Sequence, residues 1–106
     1  MKQYEINNQS GSVLVSDLLE QVLLSTKEHY NIEAENVTVE ELQNVKDVGE
    51  IILTVSLTLA SGVLLELFKF WLNRFKNRPD YDKKMVIVIN EQQYTLEELA
   101  VTESEL

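Results

Sequence analysis

Two hydrophobic periods meet at Ser61-Gly62. Before that point, Leu53, Val55, Leu57 and Leu59 alternate with Thr54, Ser56 and Thr58, the spacing of a strand with one buried face. After it, Leu64, Leu67, Phe68, Trp71, Leu72 and Phe75 recur at three- and four-residue intervals while Glu66, Lys69, Asn73 and Lys76 fall on the other side, the spacing of an amphipathic helix. A second signal competes with the first period. Asp47 and Glu50 stand three apart in DVGE, as the two acidic side chains of a capping box do, and mark a helix start. That cap, with unbroken apolar character into Leu65, favours a helix over Ile51 to Ala60; a strand there would instead give a five-stranded sheet. Pro79 stops the helix that follows Gly62.

The remaining elements flank this stretch. Tyr4 and Ile6 alternate within Gln3 to Asn7 and predict an opening strand, and the polar loop Asn8 to Ser12 offers Ser10 or Ser12 as the cap of the next helix. From Val13 to about His29, Leu14, Leu18, Leu19, Val22 and Leu23 share one helical face. Val37 and Val39 alternate with polar neighbours and predict a second strand near Asn36 to Glu40, with Leu42 to Lys46 as a connection. Met85 to Ile89, MVIVI, is the strongest strand pattern, and Asn90 to Gln93 can turn it back into Tyr94-Thr95-Leu96. Thr95 and Glu98 also stand at capping-box spacing, so a short terminal helix from Leu96 is the alternative. Residues Val101 to Leu106 read as a frayed acidic tail. The expected architecture is one α+β domain over residues 1–106. It has a small, mostly antiparallel sheet with an N-terminal helix and a long or broken central helix on one face, in the order β-α-β-α(α)-β-β.

Length and composition sharpen what this domain can do. The 106 residues suffice for one core and not two. Without cysteine there is no disulfide framework, thiolate metal site or cysteine nucleophile, which suits a cytoplasmic protein, and Met1 to Asn8 lacks the layout of a signal peptide. The formal net charge of −9 is unevenly spread. Residues 1–68 carry 3 Lys/Arg against 11 Asp/Glu, residues 69–84 carry 6 against 2, and residues 85–106 add five Glu and no cation. An acidic body with one basic band has no broad face for phosphate, so nucleic acid is not an expected partner.

No catalytic, cofactor or metal motif emerges. His29 has no second His or Cys at ligand spacing and reads as a surface residue at a helix C-terminus. Glu33, Glu35, Glu40 and Glu41 lack the oxygen-ligand spacing of a calcium loop and read as a solvated strand edge. Gly11, Gly49 and Gly62 are isolated and build no phosphate cradle. The expectation is a protein that is not an enzyme and carries no cofactor. The uncharged run Ile51 to Leu65 is 15 residues, about 22 Å as a helix, short of the roughly 30 Å hydrocarbon core. Membrane attachment through 51–72 is therefore the lesser alternative. Among the aromatics, Phe70 falls off the inner helical face, and beside Leu65 it marks a candidate interaction surface completed by Arg74, Lys76 and Arg78 of the basic band.

In VTVEELQNVKDVGE leading into IILTVSLTLASG, then VLLELFKFWLNRFKNR, then VIVI, the chain resembles the effector-associated constant component family, small proteins of predicted bacterial conflict systems. The family's small-residue break looks like Ala60-Ser61-Gly62, and its Trp-containing helix with trailing basic residues is similar to Leu67 to Leu72 followed by Arg74 to Arg78. The resemblance covers about residues 36–96; this chain is more acidic and has no Pro before the central stretch. It implies a non-enzymatic component that accompanies variable effectors and couples them to a sensor or protease, and it implies no catalytic residues. The expected partner is thus a protein (effector, protease or sensor component), with homo-oligomerisation compatible. An acidic inhibitor occupying a basic site on its target is the further alternative.

Overall fold

The computed structural model describes residues 2–30, 36–41 and 50–103. Its elements are β1 (Lys2–Asn7), α1 (Val13–Tyr30), β2 (Asn36–Glu41), β3 (Glu50–Leu59), α2 (Val63–Phe75), β4 (Val86–Ile89), β5 (Gln92–Thr95) and α3 (Leu96–Val101). The strands make one antiparallel sheet in the order β2-β3-β1-β4-β5. The fold is α+β, as the order of periods predicts.

The sheet is two-sided in the way its sequence alternates. Tyr4 opposite Leu57, and Ile6 opposite both Val55 and Ile89, form a buried inner face. Leu14, Leu18, Leu19 and Val22 of α1, Leu64, Phe68 and Leu72 of α2, and Leu96 and Leu99 of α3 close over that face in one cluster. Gln3 opposite Thr58 and Glu5 opposite Ser56 line the other face, with Val88 opposite Asn7.

One expectation is corrected. Ile51 to Ala60 is not the first half of a helix: all of it but Ala60 lies in β3, paired with β1 on one side and β2 on the other. Two flanking ladders satisfy its backbone, and the β-branched residues Ile51, Ile52, Thr54, Val55 and Thr58 fit a pleated surface better than a helix. The Asp47 end of the supposed cap and the connection Leu42 to Lys46 lie outside the described residues. Because β3 turns at Ala60 into α2, the segment 51–72 is a strand followed by a helix. Among the described residues no helix is long and apolar enough to cross a membrane.

A bulge modifies the alternation. Thr38 pairs with Thr54 but Val39 pairs with Ile52, so Leu53 is the extra residue of β3 and Ile52, rather than Leu53, packs on the core. Buried Asn8 fastens this point. Its backbone N–H donates to the Leu53 carbonyl at 2.7 Å, and its Nδ2 donates to the carbonyls of Ser12 at 3.0 Å and Ile52 at 3.1 Å. The Ile52 N–H in turn donates to Ser16 Oγ at 2.8 Å, and Ser12 Oγ accepts from the Val15 N–H, capping α1. These hydrogen-bonded polar residues set the start of α1 against β3.

The C-terminal hairpin and helix both form. Asn90 and Glu91, with φ of 51° and 69°, are the two central residues of the β4–β5 turn, where positive φ matches strand twist. Thr95 Oγ1 accepts from the Glu98 N–H while Glu98 Oε1 accepts from the Thr95 N–H, the reciprocal bonds of a capping box. Val101 was expected to open a frayed tail. Val101 is the last residue of α3, and residues 104–106 lie outside the description.

Candidate protein-docking face

α1 and α2 pack antiparallel: Trp71 Nε1 donates to Ser25 Oγ at 3.0 Å near one end, and Arg78, just past α2, reaches Asp17 at the other. Helices tied at two heights leave a seam between them. Around the Trp71–Ser25 bond lies a cleft of about 580 Å³ whose apolar lining includes Leu24, Leu67, Phe70 and Trp71. Glu28 and Glu66 border it towards the start of α2, and Gln21 and Arg74, seven and eight residues away along the two helices, border it at the other end.

Phe70 is 49% exposed, and Leu24 is 44% exposed. The Phe70 and Trp71 rings meet edge to face at 5.1 Å, and the Arg74 guanidinium carbon sits 3.7 Å from the Phe70 centroid. Arg74 Nη1 also donates to the Phe70 carbonyl at 3.3 Å. A guanidinium held over an aromatic ring can still offer N–H groups to carboxylate or carbonyl acceptors. The arrangement suits a protein contact: an aromatic anchor, an adjoining cleft and a pre-placed cation.

The structure divides the five expected surface residues. Phe70, Arg74 and Lys76 are exposed, and Lys76 occupies the C-cap of α2, donating its N–H to the Leu72 carbonyl. Leu65 is corrected. It is 7% exposed and belongs to the core, because α3 packs on α2 and widens the buried stripe beyond what the period of α2 alone implies. Arg78 is half-buried and already engaged. It pairs with Asp80 through Nε at 2.9 Å and Nη2 at 2.7 Å, and with Asp17 through Nη1 at 2.8 Å. Hydrogen bonding to Arg78 holds the Asp80 carboxyl below the usual carboxylate range.

Leu24 and Glu28 belong to the face but were missed in the sequence. The signal was there: Leu24 is an apolar residue outside the face formed by Leu14, Leu18, Leu19, Val22 and Leu23. His29 and Tyr30 lie in α1 with side chains outside the described residues, as are the side chains of Glu40 and Glu41; Glu33 and Glu35 are outside it altogether. Among the described residues no group of three or more His, Asp or Glu is placed to hold a metal ion.

Compared with models of known protein families, with curated proteins and with solved structures, the chain matches none.

Proposed function

We propose that the protein is a non-enzymatic binding component, acting in the cytoplasm, that docks onto protein partners through the α1–α2 face. The observation that carries this reading is Phe70, half-exposed under the Arg74 guanidinium at the mouth of a cleft lined by Leu24 and Trp71. A large aromatic residue left in water beside a cavity gives up burial that it recovers only against another surface. The resemblance to effector-associated constant components supports placing that partner among the effectors, proteases or sensors of a bacterial conflict system, with this chain as the coupling element.

The test is affinity capture from the protein's own cells with the wild-type chain, Phe70→Glu, and a control at Gln93 on β5, far from the seam. Expected is a partner recovered with wild type and the Gln93→Lys control and lost with Phe70→Glu, whose circular dichroism stays unchanged. Recovery of the same partners by Phe70→Glu sinks the assignment of the face.

A further inference from the structure

Glu66, Phe70 and Arg74 are spaced four residues apart along α2, and all three are exposed. They form one ridge of the helix surface, with steps of about 6 Å between successive side chains. The order along the ridge is anion, aromatic, cation. Read backwards it is cation, aromatic, anion, which is its own complement. If two copies of α2 meet antiparallel about a two-fold axis through Phe70, each Glu66 faces the partner's Arg74 and the two Phe70 rings share the centre.

We infer that this face of α2 is the interface of a symmetric dimer, in which the ridge Glu66–Phe70–Arg74 of one chain lies against the same ridge of a second copy. This rests on the reading of the α1–α2 face as a protein-docking surface and names its occupant. A different protein would have to present a cation, an apolar side chain and an anion at these intervals in reverse order. The chain itself presents that pattern.

Three further observations point the same way. The seam beside the ridge is an open cleft bordered by Leu24 and Trp71, so Phe70 has an apolar recess to enter on the opposing copy. Ridges of this four-residue kind pack into the grooves of an identical surface, the commonest helix crossing, at about −50°. Finally, two chains of net charge −9 repel over most of their surface, and in an isologous contact the basic band 69–84 also meets its own copy, so the attraction is concentrated in the two crossed Glu66–Arg74 pairs. Those crossed pairs fix the antiparallel direction of approach. Arg74 is held for this role by its stack on Phe70 and its bond to the Phe70 carbonyl.

Sedimentation equilibrium on the purified full chain, up to about 100 μM, reads the assembly at the mid-affinity range of such interfaces. Twice the chain's mass is expected for wild type. Phe70→Glu, Glu66→Arg and Arg74→Glu each weaken the dimer, the first by roughly 30-fold or more as for a central aromatic anchor. All three sites are exposed, and unchanged circular dichroism separates lost association from lost folding. The discriminating step is mixing. Glu66→Arg and Arg74→Glu, each monomeric alone, form a mixed dimer with one another, and the doubly reversed E66R/R74E chain dimerises with itself. A monomeric wild type, a dimer insensitive to Phe70→Glu, or single variants that stay apart on mixing overturns the inference. A monomeric wild type whose cellular partner is nevertheless lost with Phe70→Glu assigns the face to a different protein. Loss of neither association nor partner removes the docking reading itself.

Discussion

β3 and α2 are consecutive, of similar length and both rich in apolar residues, yet they earn their places by opposite means. β3 is a central strand with ladders on both edges, and burial is imposed on every second residue of Val55, Leu57 and Leu59 by its partners. α2 satisfies its own backbone, and its position depends on side chains: Leu64, Leu65, Phe68 and Leu72 buried, Trp71 bonded to Ser25. A strand in the middle of a sheet is therefore specified by its neighbours. A helix on top of it is specified by its own stripe.

The contrast can be broken most severely from within β3. Leu57→Lys places an unpaired cation in the middle of the inner face, opposite Tyr4. Its expected cost of at least about 4 kcal/mol is comparable with the whole stability of a domain this small. Phe68→Ala, the matching lesion in α2, is expected to cost about 3–5 kcal/mol through lost burial and a residual cavity. Urea unfolding by circular dichroism measures both, and the pair is sharpened if the α2 lesion leaves native-like strand signal while the β3 lesion does not.

At the junction of the two elements, Gly62 has φ of 84° and no heavy atom within 4 Å of an added Cβ. Gly62→Ala therefore meets only backbone strain, and a loss of about 1 kcal/mol is expected. A loss of several kcal/mol in the same unfolding assay would mean that the turn is also a packing site.

The smallest effect is expected at Arg78, which ties the loop after α2 back to α1 through Asp17 and closes on Asp80. These groups are partly solvated, so Arg78→Gln is expected to cost about 0.5 kcal/mol. The pH dependence has a definite sign. The Asp80 carboxyl is depressed in the folded chain, so its contribution is complete at neutral pH and fades as pH falls from the ordinary carboxylate value of about 3.9 through the depressed one. Melting curves of wild type and Arg78→Gln should differ at pH 7 and converge in acid; a gap that widens in acid contradicts the pairing.

How much of this was readable beforehand depends on which element specifies itself. α1, α2 and the β4–β5 hairpin carry strong internal patterns, and all were legible in the chain. Ile51 to Ala60 was not, because its alternation competed with the Asp47–Glu50 cap spacing. Only the presence of β1 and β2 on either side decides between them. Leu65 failed for a related reason: α3 lies 31 residues further on, and the period of α2 contains no trace of it. On the candidate docking face, Phe70 was legible as an exception to a stripe, and Arg74 and Lys76 as members of the basic band. Leu24 was equally exceptional, but its relevance required knowing that α1 runs beside α2.

The position of β1 carries a consequence for assembly in time. Although first in the chain, it lies in the interior of the sheet, paired along Lys2–Asn7 with β3 and only at Ile6 and Asn7 with β4. The seam is prolonged by Asn90, whose N–H donates to the Glu5 carbonyl, whose Oδ1 accepts from the Glu5 N–H and whose Nδ2 donates to the Gln3 carbonyl. The strand must therefore keep one edge open until residues more than eighty positions later arrive. Such distant closure makes for slow nucleation, in the millisecond-to-second range typical of sheets with non-local pairing. On a ribosome, the sheet can be completed only after β4 has emerged.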